Sequence, residues 1–340
     1  MEEFVIEDLS LHELVGQMMI IGIRGARLDR ETEDLLYDVH PGGIILFREN
    51  YENYNQLKRF CSDIQGVARN WPHSIPLFIS VDQEGGRVIR LPSPFSQVPS
   101  AREIGTKGPE YAYKIASLIA RELRDVGITM DHAPVLDVDT NTANPVIGDR
   151  SFGDDPEMVA QIGIEFFKGL QDNSIISTGK HFPGHGDSEK DSHLTLPVVR
   201  HRKSQLEDIE LYPFDRAIKQ GIDTIMTAHV LYPSFDELYP ATLSERIIRG
   251  ILREQLGFCG VIISDDLSMK AITLKYDLDE ACYMAICAGI SIFLISHQPY
   301  SVYKNIQRNV VKKLSKDNNL IYRVKKEVES ILALKKRYCA

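Results

Sequence analysis

Gly260-Val261-Ile262-Ile263-Ser264-Asp265-Asp266 is a short apolar, β-branched run that ends in two carboxylates. β-branched residues suit the pleated backbone of a strand, and a run this short suits a strand covered on both faces. Seven comparable runs occur elsewhere: Gln17 to Ile23, Gly43 to Phe47, Pro76 to Asp82, Thr129 to Leu136, Ile175 to His181, Asp223 to His229 and Ile290 to Ser296. Between most of them lie segments of helical periodicity. Tyr111, Ile115, Leu118, Ile119 and Leu123 are spaced to share one face, Asp155-Pro156 supplies an N-cap followed by a first-turn proline, and Gly289 follows the helix before the last run. Strands alternating with helices imply parallel pairing through right-handed crossovers. A doubly wound open sheet shares that pattern. Eight units spread over the full length, with no Gly-x-Gly-x-x-Gly turn after the first strand, favour an α/β (β/α)8 barrel.

The 340 residues fit one such catalytic domain, expected to span 1–340 and to close with a basic amphipathic helix over about 318–337 that packs, solvated, on the barrel. A formal charge of -9 argues against nucleic acid and anionic lipid as partners. Sugars and other small molecules stay open. The beginning of the chain lacks a basic segment followed by an apolar run, and no stretch approaches about 18 apolar residues, so a cytoplasmic, non-membrane protein is expected. The five cysteines form an odd set without CxxC spacing, which predicts reduced, mostly buried thiols instead of disulfides or structural zinc. A monomer without cofactor is expected.

Polar residues fall where a barrel builds its active site, at the C-terminal strand ends. The third run ends in Asp82, the fifth in Lys180-His181, the sixth in His229 and the seventh in Asp265-Asp266. One carboxylate alone would read as a cap or surface ion pair; four strand ends together read as a shared mouth. After the fifth run comes Lys180-His181-Phe182-Pro183-Gly184-His185-Gly186-Asp187, continuing to Asp191-Ser192-His193, with three histidines and two aspartates in fourteen residues. A metal site is one reading of such a loop. Pro183, Gly184 and Gly186, and the lack of HExxH spacing, favour an irregular mobile loop, and no metal is expected. Asp191 can hold the His193 imidazole, which near neutral pKa can give and take a proton, while Asp265 at a rigid strand tip can supply an anionic oxygen.

Four segments carry a family resemblance: Asp82-Gln83-Glu84-Gly85-Gly86-Arg87-Val88; Asn144-Pro145-Val146-Ile147-Gly148-Asp149-Arg150-Ser151-Phe152-Gly153; the 180–193 loop; and Gly260 to Met269. In this order they resemble the β-N-acetylglucosaminidase branch of glycoside hydrolase family 3. The resemblance implies Asp265 as nucleophile, Asp266 as a structural neighbour, and His193 as acid/base with Asp191 as its partner. It also implies that Asp82, Arg90, Arg150, Lys180 and His181 bind the N-acetylglucosamine unit. The reaction implied is retaining hydrolysis of β-linked N-acetylglucosamine, with cell-wall fragments such as anhydro-muramic acid conjugates, with or without peptide, as substrates. A β-glycoside phosphorylase, a non-catalytic carbohydrate-binding barrel and a metal-dependent hydrolase are the alternatives.

Overall fold

Eight apolar runs whose backbone groups need partners on both sides can satisfy all of them only if the sheet closes on itself. They do so in the computed structural model, which describes residues 6–187 and 195–339. The strands are β1 (Met19–Gly22), β2 (Gly43–Leu46), β3 (Phe78–Val81), β4 (Met130–Asp131), β5 (Ile176–Phe182), β6 (Thr224–Thr227), β7 (Val261–Asp266) and β8 (Ile292–Ile295). Each pairs in parallel with its neighbours in the chain, and β8 pairs with β1, closing the barrel. The open-sheet alternative is thereby excluded. A small antiparallel hairpin, Gln83–Gly85 with Val88–Ile89, projects from the end of β3.

The fourth run contributes only two residues to the regular ladder, fewer than its apolar length suggests. Pro134 is the reason: it has no N–H to donate, so the pairing with β5 goes on irregularly, with the Lys180 N–H donating to the Pro134 carbonyl and the Leu136 N–H donating to the Lys180 carbonyl. Two further irregularities fall where chemistry is expected. Between Gly179 and Phe182 strand β5 has one residue more than β6, and between Ile263 and Asp266 strand β7 has one more than β8. Such bulges re-aim side chains at barrel rims.

The helical punctuation is as expected: the Asp155 carboxylate caps Pro156–Gln171 by accepting the Met158 N–H, and Gly289 ends Leu278–Ala288 at φ 107°. The contact face of Pro109–Asp125 differs from the large residues first assigned to it. Tyr111, Ile115 and Leu118 are half-buried rims, and the buried centre runs through Ala112, Ala116, Ile119, Ala120 and Leu123. The cause is close helix packing, since a side chain at Gly169 of the neighbouring helix would meet the Ala116 methyl at 2.8 Å.

The terminal helix, Asn318–Tyr338, packs on the barrel through Leu320, Val324, Val328, Ile331 and Leu332. One of its basic residues is not solvated: Lys335 is buried and donates to Gln17 Oε1 at 2.7 Å, with its ammonium over the Phe78 ring. Burial lowers its pKa to about 7. The cysteines are all free, but only Cys61 and Cys282 are buried; Cys287 and Cys339 are half-buried and Cys259 is exposed, so the thiols are less sheltered than composition suggested. Among the described residues no helix is long and apolar enough to cross a membrane.

Candidate active site

At the C-terminal end of the barrel the strand tips surround a cleft of about 450 Å³, within the usual range of small-molecule sites. Asp82, Arg90, Arg150, Lys180, His181 and Asp265 all line it. Asp191 and His193 lie outside the described residues.

The floor of the cleft is an ionic cluster in which every charged side chain meets one of opposite sign. Lys180, 3% exposed, donates to Asp82 Oδ1 at 3.0 Å and to Glu84 Oε1 at 2.6 Å. Arg150 grips Glu84 with Nε and Nη2, each at 2.8 Å, and Arg90 reaches Asp82 Oδ2 at 3.3 Å. Burial on its own would raise both carboxyl pKa values. Lys180, His132 and Arg90 instead hold Asp82 well below the usual carboxylate range, and Arg150 with Lys180 brings Glu84 to about 2. Burial would lower the pKa of Lys180, yet Asp82 and Glu84 raise it. At neutral pH the cluster is charged throughout, presenting rigid donors and acceptors suited to sugar hydroxyls.

His181 is oriented from behind. Its Nδ1 faces Asp137 Oδ2 at 2.7 Å, and Asp137 Oδ1 accepts the backbone N–H groups of His181 and His185 at 3.1 and 2.7 Å. An acceptor-only carboxylate there assigns the proton to Nδ1 and leaves Nε2 facing Arg150 in the cleft. The root of the loop after β5 is held far more firmly than Pro183 and its two glycines implied. Asn144 donates to the carbonyls of His185 and Gly186, each at 2.8 Å, and accepts the Val146 and Ile147 N–H groups. Gly186 lies so close to Val138 that a Cβ would stand 1.7 Å from its carbonyl oxygen. Tyr232 donates to the Gly184 carbonyl, and Asp187 pairs with His201.

Asp265 stands at the bulged tip of β7. Its Oδ1 accepts the Asp266 N–H at 2.8 Å. Burial opposes ionisation, but His229, His181 and the Asp266 N–H outweigh it and lower the pKa. Asp266 has the structural role expected of it: Oδ1 accepts from Ser268 N–H and Oγ–H at 2.9 and 2.6 Å, and Ser296 donates to both its oxygens. His229 departs from the expectation of a shared mouth. It is buried behind the cleft, where Nε2–H donates to the Asp266 carbonyl at 3.0 Å and Nδ1 meets Thr242 Oγ1 at 2.8 Å.

Glu84, Asp137, His132 and His297 are site residues that strand-end reasoning missed. Glu84 stood inside a quoted motif but two residues past the strand end, and Asp137 one residue past the fourth run. Among the described residues no group of three His, Cys, Asp or Glu side chains is disposed to hold a metal ion.

The model of the glycosyl hydrolase family 3 N-terminal domain matches residues 10–334. This chain belongs to glycoside hydrolase family 3. Within it the chain falls in the β-hexosaminidase branch. It is 39% identical over 285 residues to a β-hexosaminidase of Neisseria meningitidis, covering 82% of this chain and 77% of the relative. Its barrel superimposes with a TM-score of 0.93 on a family 3 β-N-acetylglucosaminidase of a Paenibacillus species, at 40% identity over 97% of this chain; the chain spans 63% of that longer protein. NagZ of Neisseria gonorrhoeae, solved in complex with N-trifluoroacetyl-D-glucosamine, matches with a TM-score of 0.75 at 34% identity over 94% of both chains. The family 3 fold places the ionic cluster and Asp265 in one cleft of a carbohydrate hydrolase.

Proposed function

We propose that this family 3 hydrolase releases terminal β-linked N-acetylglucosamine with retention of configuration, Asp265 acting as nucleophile and His193, partnered by Asp191, as acid/base. The observation that carries the reading is the single cleft in which an ionised Asp265 faces the Lys180, Asp82, Glu84 and Arg150 cluster. The complex of the gonococcal relative with N-trifluoroacetyl-D-glucosamine supports an N-acylglucosamine occupant. Asp82, Arg90, Arg150, Lys180 and His181 hold the sugar by charge-assisted hydrogen bonds, fixing its anomeric carbon toward Asp265.

In the first step His193 gives a proton to the glycosidic oxygen as Asp265 attacks the anomeric carbon and the bond to the leaving group breaks. Among the described residues only Oδ1 of Asp265 is engaged, so Oδ2 makes the attack. Neutral His193 then takes a proton from water, whose oxygen displaces Asp265 from the glycosyl ester and leaves the sugar in its β form. Cell-wall fragments in which N-acetylglucosamine is linked to anhydro-muramic acid, with or without peptide, are the substrates in this reading. A cytoplasmic location belongs to it too, supported by the five free cysteines.

Proton NMR of the product formed from an N-acetyl-β-glucosaminide tests the proposal: the β anomer appears first. An initial α anomer would contradict double displacement, and sugar 1-phosphate as the main product in phosphate buffer would replace hydrolysis by phosphorolysis.

A further inference from the structure

His132 lines the cleft and is buried, with two polar ring atoms, yet the proposed reaction leaves it unused. It follows β4 and lines the cleft with Asp82, Lys180 and Asp265, and among the described residues neither Nδ1 nor Nε2 has a hydrogen-bond partner. Buried polar atoms in folded proteins are nearly always paired, so an imidazole unpaired at both nitrogens in the wall of a cleft points to a partner that arrives with the ligand.

The neighbouring charges define that partner. Asp82 and Lys180 act on the ring most strongly, ahead of Asp265 and Glu84. Burial pushes its pKa down to about 4 against the pull of Asp82, so at neutral pH the ring is uncharged, with one nitrogen a donor and the other an acceptor. A neutral ring of this kind suits a hydroxyl, which can accept from one atom and donate to another. A carboxylate or phosphate would gain only one weak donor from it. His132 shares the cleft wall with Asp82 and Lys180, which the functional reading assigns to the sugar's hydroxyls, while Asp265 is assigned to the anomeric carbon.

We propose that His132 is a specificity-determining residue that hydrogen-bonds one hydroxyl on C3, C4 or C6 of the sugar held in the cleft, selecting for that hydroxyl's presence. The assignment rests on the functional reading above. It makes His132 a binding group for the sugar with no proton to transfer in the reaction.

The test compares the wild-type enzyme and His132→Phe, which keeps a planar ring of similar size, on a 4-nitrophenyl N-acetyl-β-glucosaminide and its 3-, 4- and 6-deoxy analogues. On the full substrate kcat/KM falls about 10- to 100-fold, as expected for one buried hydrogen bond. On one deoxy analogue the variant and the wild type are equal within about 2-fold, because the partner of His132 is already missing. Equal losses on every analogue assign a packing role and overturn the proposal. No loss on the full substrate shows the ring satisfied without the sugar and overturns it as well. Should His132→Phe fail to fold, histidine-selective 15N NMR of the wild-type chain titrated with N-acetylglucosamine decides: the His132 ring nitrogens shift on binding, or they do not and the proposal fails. A wild type that hydrolyses N-acetyl-β-glucosaminides with His132 inert removes this inference alone, whereas a wild type that hydrolyses none of them removes the functional reading together with it.

Discussion

Replacing Lys180 by methionine probes the electrostatic logic of the cleft floor. Lys180 holds two buried carboxylates, Asp82 Oδ1 at 3.0 Å and Glu84 Oε1 at 2.6 Å, and is itself 3% exposed, so solvent screens little of the interaction. Methionine fills much the same volume and leaves a small cavity term. Removing one partner of a buried ion pair costs about 3–5 kcal/mol, because the remaining charge is left in a poorly solvated site. Arg90 and Arg150 still attend the two carboxylates, which places the loss near the lower end, about 3 kcal/mol. With a denaturant slope of about 3 kcal/mol/M the urea midpoint falls by about 1 M. The deficit depends on pH. Glu84 has its pKa lowered to about 2 in the folded protein from an ordinary 4.5, so its stabilising contribution is full above the ordinary value and disappears as pH falls toward 2. The wild-type and variant curves therefore converge below about pH 4. Adding Glu84→Gln to the variant lowers stability further, since buried Arg150 then loses the carboxylate it grips with two hydrogen bonds. A loss under about 1 kcal/mol at pH 7, or a deficit that does not shrink on acidification, would refute the reasoning.

Asp137→Asn exchanges an acceptor-only carboxylate for a group with one acceptor and one donor opposite three N–H groups; stability falls by about 2–3 kcal/mol by urea titration, and 15N NMR shows His181 losing its Nδ1–H tautomer. His193→Ala reduces kcat/KM on substrates with poor leaving groups by about 10²–10⁴-fold but much less on a 2,4-dinitrophenyl leaving group; equal losses would count against the acid role. The acid limb of kcat/KM set by Asp265 lies below the ordinary aspartate value of 3.8, because His229, His181 and the Asp266 N–H lower its pKa against burial; a limb above that value would contradict the electrostatics. Lys335→Met removes a pH dependence: the folded wild type gives up the Lys335 proton near pH 7 and the unfolded chain only near pH 10, so wild-type stability rises by a few kcal/mol across that interval while the variant's does not.

The barrel was legible in the sequence because its signals are local. A β-branched run, a capping aspartate before Pro156 and a glycine after Ala288 each act through neighbouring residues, and all eight runs became barrel strands. Strand ends and motifs likewise pointed to Asp82, Lys180, His181 and Asp265, which the barrel brings to one cleft. What stayed hidden depends on long-range packing. Asp137 orients His181 across forty-four positions, and Glu84 meets Arg150 across sixty-six, distances over which periodicity carries no information. His229 shows the converse: a polar strand end that resembles a site residue but braces the backbone next to Asp265. Lys335 misled for a related reason, since a basic residue in a terminal helix reads as solvated until the helix is seen to insert it beside Gln17 and Phe78.

The most direct measurement is mass-spectrometric mapping of the enzyme after reaction with a slowly released, fluorinated N-acetylglucosaminide. The account predicts a single glycosyl ester on the carboxylate of Asp265, formed in the wild type and absent from Asp265→Asn. Label on any other side chain, or full turnover by Asp265→Asn, would contradict it.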